Sequence, residues 1–130
     1  MSTRASIHFT DKHGKTVANI YRHGDGYPET ETGVLADLDR FFTAVEAQTA
    51  DTRYGDASYL AAKFVVWQAG ENARGRAFDY ATGRQGEAKP LNFLSVGIQA
   101  QDPGDIDYVY EVQEASGPGR PQVTWHEVTS

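Results

Sequence analysis

Cysteine is missing from this chain of 130 residues, which removes disulfides and thiolate metal ligands from consideration. That absence fits a reducing compartment, and a cytoplasmic location is the expectation. Long apolar runs are missing as well. The densest, Phe64-Val65-Val66-Trp67, is far shorter than the roughly 20 residues of a membrane-spanning helix. The first residues, Met1 to Ser6, carry no apolar stretch of the kind a secretion signal needs. Basic charge is scarce: 12 Lys and Arg stand against 18 Asp and Glu, a net charge of −6. Nonspecific nucleic-acid binding draws its affinity from phosphate neutralisation, so direct contact with DNA or RNA is not expected. An acidic surface suits docking onto a basic partner protein, and it equally suits plain solubility.

Familiar catalytic signatures are missing too. There is no Gly-x-Ser-x-Gly elbow and no Gly-Lys-Ser/Thr phosphate loop. His8, His13, His23 and His126 are scattered without the short spacing of a zinc site. Asp102-Pro103-Gly104-Asp105-Ile106-Asp107 lacks the glycine and the terminal glutamate of an EF-hand loop, so it reads as a turn. Asp25, Glu29 and Glu31 read more simply as solvated loop carboxylates than as magnesium ligands. No metal and no cofactor is expected.

Aromatic residues are what the chain has in quantity, with two Trp, seven Tyr and six Phe to supply core volume. Ile7 and Phe9 alternate with Ser6, His8 and Thr10, and Val17 to Tyr21 follows the turn-like Asp11-Lys12-His13-Gly14-Lys15. This pattern predicts a β-hairpin with Gly14 at positive φ. Val34, Leu35, Leu38, Phe41, Phe42 and Val45 recur at helical spacing after a cap at Thr30 or Thr32, with Asp37, Asp39, Arg40 and Glu46 on the other face. A second helix is expected from an Asp56 or Ser58 cap to about Ala69, ended by Gly70.

Residues 70–90 are rich in glycine and charge and read as a long surface loop, with a short strand near Ala77 to Tyr80. Within it Arg74, Arg76 and Arg84 interleave with Phe78 and Tyr80. Strand patterns return from Leu91, Phe93 and Leu94 through Ile98, from Ile106 to Val112, and from Gln122 to Val128. The order ββααβββ predicts a single α+β domain over 1–130: an antiparallel sheet of about five strands with two helices packed on one face.

The richest polar stretch is Ile20-Tyr21-Arg22-His23-Gly24-Asp25-Gly26-Tyr27-Pro28-Glu29. Tyr21, Arg22, His23, Asp25, Tyr27 and Glu29 are the candidate binding residues. Histidine changes charge near neutral pH and a nearby aspartate can orient its ring. Arginine grips carboxylate or phosphate with two prongs, and the loop leads toward a helix N-terminus. The same residues also suit a purely structural turn, since Asp25-Gly26 is a turn dipeptide and Arg22 has Asp25 and Glu29 within reach of pairing.

This stretch, with Thr3-Arg4-Ala5 before it, resembles a family of small phage, prophage and bacterial proteins without an assigned activity. Tyr59-Leu60-Ala61-Ala62-Lys63-Phe64, Gly97-Ile98 and Asp102-Pro103-Gly104-Asp105-Ile106 resemble later features of that family. The family pattern has an aromatic residue where Gly24 stands. The resemblance implies a mobile-element accessory protein, one that blunts a host defence in the manner of an anti-CRISPR inhibitor by occupying a host protein or protein complex. The alternative is a nucleotide- or phosphate-binding or hydrolytic protein that uses the same loop, and homodimerisation is a further possibility.

Overall fold

The computed structural model describes residues 3–48, 54, 56–79, 84–85, 96–117 and 119–128, without the side chains of 72–79 and 84–85. Its elements run β1 (Ala5–Thr10), β2 (Thr16–Arg22), α1 (Val34–Gln48), α2 (Ala57–Ala77), β3 (Phe78–Asp79), β4 (Arg84–Gln85), β5 (Val96–Ile98), β6 (Tyr108–Gln113) and β7 (Gln122–Glu127).

The first hairpin forms as its residues dictate. Asp11 Oδ1 accepts the backbone N–H groups of His13 and Lys15, each at 2.9 Å, and Gly14 adopts φ 84°. The N–H of Lys15, ahead of a smaller opposing effect of burial, then that of His13, lowers the Asp11 pKa. Register pairs Ile7 with Ile20 and Phe9 with Ala18. Ala5, Ile7 and Phe9 are fully buried on one face.

Five strands make one sheet in the order β5-β2-β1-β6-β7. Three of its four strand pairings are antiparallel, but β1 and β6 run parallel. The expected antiparallel sheet is therefore mostly so. A parallel neighbour requires a crossover, and residues 99–107 supply it by passing over β2 and β1. Both helices pack on the opposite face, so the chain is an α+β fold in the expected order. The two-residue strands β3 and β4 pair separately.

Helix α1 buries Val34, Leu38, Phe41, Phe42 and Val45, the stripe its spacing predicts. Its start differs from the expected threonine cap. The Gly33 carbonyl accepts the Asp37 N–H, and the Val34 N–H reaches back to the Tyr27 carbonyl, 3.0 Å away. A Cβ at Gly33 would lie 2.2 Å from that same carbonyl oxygen, so only glycine fits.

Helix α2 is capped by Asp56, whose Oδ1 accepts the N–H groups of Ser58 and Tyr59. The Glu114 carboxylate takes the Ala57 N–H at 2.8 Å. Gly70 does not end the helix, which continues to Ala77. An interior glycine costs only about 1 kcal/mol relative to alanine, and the residues after it include the strong helix formers Glu71, Ala73, Arg74 and Arg76. The expected loop thus loses its first turns to α2. The short strand expected near Ala77 to Tyr80 is present as β3, paired with β4. Residues 80–83 and 86–90, and Leu91, Phe93 and Leu94 of the expected strand, lie outside the described residues.

Phe64 on α2 joins the layers, with its ring centroid 5.8 Å from Phe9 and 5.3 Å from Phe41. A fully buried side chain of this size contributes about 1.5–3 kcal/mol. No described helix is long and apolar enough to cross a membrane.

Candidate functional site

Arg22 is the last residue of β2, and its register opposite Ala5 turns it toward the helices. The side chain is 5 % exposed. Its Nε donates to the Gly24 carbonyl at 2.9 Å and Nη2 to the Thr32 carbonyl at 2.8 Å. Nη1 lies 2.6 Å from Asp37 Oδ2, an ion pair without hydrogen-bond alignment. Asp37 belongs to the polar side of α1 by sequence, yet this pairing leaves it only 13 % exposed. Arg40 Nη1 holds the other Asp37 oxygen, and Arg40 Nη2 donates to the Glu31 carbonyl. The expected anion-gripping arginine is a clamp fastening the loop to the start of α1.

The loop between them is fixed just as tightly on its other side. The Gly26 N–H donates to the Thr3 carbonyl at 3.0 Å, and the buried Tyr110 hydroxyl donates to the Gly26 carbonyl. A Cβ on Gly26 would stand 2.8 Å from the Thr3 oxygen. Burial, followed by the neighbouring Tyr108, pushes the Tyr110 phenol above its ordinary pKa. Asp25 takes the left-handed conformation at φ 51°, which aspartate tolerates better than most residues. It is exposed at the loop tip.

Tyr21 and His23 form a pair of their own, with Oη 2.9 Å from Nδ1. Tyr21 lies on the opposite face from Arg22, across from Ser6 and Gly97. A tyrosine hydroxyl, not the Asp25 carboxylate, orients the His23 ring. The histidine–carboxylate contact in the described residues falls elsewhere: His8 Nε2 lies 2.7 Å from Asp102 Oδ1, which also accepts Asn19 Nδ2 at 2.7 Å. Burial pushes the Asp102 carboxyl up, but hydrogen bonds from His8 and Asn19 outweigh it and hold the pKa below its ordinary value. The adjacent Ser6 hydroxyl is fully buried, so this cluster offers no accessible nucleophile. It latches the 99–107 crossover to the sheet. Its partners stand more than 80 residues apart in sequence, and the outward position of His8 on its strand was the one available signal.

Tyr27 and Glu29 point to a third place. The Tyr27 ring centroid is 6.0 Å from Tyr108 on β6, and Tyr108 is 6.0 Å from Trp125 on β7 in an edge-to-face arrangement. Trp125 also contacts the buried Tyr110 ring at 6.5 Å. Tyr27 remains 47 % exposed and Trp125 41 %. Burial first, then the charge of Glu127, with Asp107 and Glu29 contributing, raises the Tyr108 phenol pKa. These carboxylates therefore rim an exposed aromatic ladder on the helix-bearing face.

The six sequence candidates thus divide: Arg22 goes inward, Tyr21 and His23 to the opposite face, Asp25 to the tip, and Tyr27 with Glu29 to the aromatic ladder. Tyr108 and Trp125 sit on the C-terminal strands that the sequence pattern predicts, and Glu127 beside them carried no signal of its own. What joins them to Tyr27 is the parallel β1–β6 pairing, which no local pattern reveals. An apolar groove of about 700 Å³ opens between α1 and α2, lined by Phe41, Val45, Tyr59, Ala62, Val66 and Trp67 among others. None of the six loop candidates lines it. Among the described residues no group of three or more His, Cys, Asp or Glu is placed to hold a metal ion. The interleaved arginines and aromatics of 74–84 lie outside the described side chains. Comparison with protein-family models, curated proteins and solved structures finds no match to this chain.

Proposed function

We propose that the chain is a small non-enzymatic binding protein that occupies a surface of a partner protein through Tyr27, Tyr108 and Trp125. The observation that carries this reading is the exposure of Tyr27 and Trp125 at the two ends of a continuous ring ladder. Tyrosine and tryptophan supply large, stiff contact area, and they dominate the energetic centres of protein interfaces. The resemblance of the Tyr21 to Glu29 motif to phage and prophage proteins supports the biological setting. The partner is then a protein complex of a bacterial host, met in the cytoplasm, and the outcome is inhibition of a defence system.

The nucleotide or phosphate reading of the loop has less support. Its arginine is paired with Asp37 and two carbonyls, and the Tyr27 carbonyl already takes the first helical N–H of α1. The test compares wild type with the Tyr27→Ala/Trp125→Ala double variant, both folded, in capture from host lysate and in plaque protection. Loss of a specific captured complex and of protection in the double variant supports the reading. Equal behaviour of the two proteins overturns it.

A further inference from the structure

Strand β7 closes one side of the sheet, and no described strand pairs with its outer edge. Val128 donates its N–H to the Asp107 carbonyl, which sets the alternation along the β6–β7 ladder. With Tyr108 opposite Glu127 and Tyr110 opposite Trp125, Gln122, Thr124 and His126 turn their backbone groups toward β6. Those of Val123, Trp125 and Glu127 turn outward.

Natural edges are commonly blunted by proline, lysine, a bulge or extreme shortness. None of these occurs in Gln122–Glu127, six residues in unbroken register. The opposite edge, β5, has only three residues.

The side chains of Val123, Trp125 and Glu127 share the face that bears the aromatic ladder. A strand laid along this edge would therefore place every second side chain beside Trp125 and Glu127, within reach of Tyr27 and Glu29. Neither Glu29 nor Glu127 has a basic partner among the described residues. The two arginines near either end of the ladder are engaged: Arg4 with Asp105, and Arg120 with Asp39 and Glu46. Exposed rings beside unpaired carboxylates attract a cation twice over, by the ring quadrupole and by charge. Guanidinium suits this corner best, because it is planar enough to stack and forked enough to take a carboxylate.

We infer that β7 receives an extended segment of the partner by strand addition, with arginine at alternate positions stacking on Trp125 and Tyr27 and pairing with Glu127 and Glu29. This rests on the binding reading above and gives the partner's chemistry: a basic, extended peptide rather than a helix or an apolar surface. Backbone pairing supplies affinity and the alternate side chains supply selectivity.

The probe is a synthetic hexapeptide of alternating threonine and arginine, titrated into the whole chain and followed by amide NMR and hydrogen exchange. Saturable binding that shifts and protects the amides of Val123, Trp125 and Glu127 is the expected result. A fully N-methylated peptide, and separately the Glu29→Gln/Glu127→Gln variant, should each weaken binding at least tenfold. A threonine–glutamate peptide should not bind. Three results overturn the inference: no saturable binding at millimolar peptide, equal binding of the acidic peptide, or binding that leaves those three amides unchanged. Protection of the same amides without peptide, rising with protein concentration, also overturns it by assigning the edge to a second copy of this chain. Partner capture that depends on Trp125 while the edge amides stay silent would remove strand addition and leave the surface reading standing. Capture indifferent to Trp125 removes the surface reading itself.

Discussion

Arg22 and Asp37 form an ion pair sealed from solvent, Nη1 to Oδ2 at 2.6 Å, that joins the end of β2 to the first turn of α1. Removing Asp37 leaves the buried Arg22 charge without a carboxylate, at a cost of about 3–5 kcal/mol, whereas removing Arg22 leaves Asp37 still paired with the more exposed Arg40. Asp37→Ala should lower the unfolding free energy by about that much in urea denaturation, and Arg22→Ala by less, because Arg40 stays on Asp37. The double variant should lose clearly less than the sum of the singles, because no lone charge remains. A loss for Arg22→Ala of the size seen at ordinary surface positions, about 0.5 kcal/mol or less, would return Arg22 to the candidate ligand-binding residues.

A second ionic contact ties the start of β7 to α1. Arg120 grips Glu46 through Nε and Nη2 at 2.8 and 2.9 Å, reaches Asp39 at 2.7 Å, and lies over the Phe42 ring. Hydrogen bonds from Arg120 and then from the Tyr54 hydroxyl bring the Glu46 carboxyl from its ordinary 4.5 to about 2. The folded pKa lies below the unfolded one, so the stabilisation is complete above pH 4.5 and fades as pH falls toward 2. Wild type should therefore lose more stability between pH 5 and pH 2.5 than Glu46→Gln does. Parallel slopes for the two proteins in pH-dependent denaturation would contradict the assignment.

Local pattern made much of this fold legible. The Ile7/Phe9 alternation, the Asp11 to Lys15 turn and the α1 stripe are encoded within short windows, and they form as their periodicities require. The α2 end was not legible, because the helix formers beyond Gly70 outweigh both that glycine and Gly75. Nor was the β1–β6 pairing, which joins residues about a hundred apart through the 99–107 crossover. The candidate site suffers most from that gap. Six neighbouring polar residues looked like one place, but strand alternation sends Tyr21 and Arg22 to opposite faces. Tyr27 finds its companions only where β6 and β7 arrive beside β1.

Glycines in the loop separate by what surrounds them. Gly33 stands against the Tyr27 carbonyl with no room for a Cβ, whereas a Cβ at Gly24 meets nothing within 4 Å. Gly33→Ala must displace the contact that starts α1, and about 1–3 kcal/mol is the expected loss for such overpacking. Gly24→Ala should stay within about 0.5 kcal/mol of wild type. Gly24→Tyr, which meets the same open space, should also fold. Thermal unfolding of the three variants checks the order, and a Gly24→Ala protein as damaged as Gly33→Ala would refute it.

Folding and binding should come apart at the aromatic ladder. Trp125 packs against Tyr108 and Tyr110 yet stays 41 % exposed. Truncating it removes ring contacts worth about 0.5–1.5 kcal/mol each at most, a loss a folded domain survives. As an interface anchor the same residue should carry about 2 kcal/mol or more of binding, roughly 30-fold in affinity. His23 is exposed and its one hydrogen bond among the described residues is to Tyr21, so His23→Ala should leave both stability and partner affinity near wild type. Calorimetry with the captured partner, alongside urea denaturation of each variant, measures the two effects independently. If His23→Ala weakens binding and Trp125→Ala does not, the working surface lies on the Tyr21 face of the sheet, and the acidic aromatic ladder is only part of the fold.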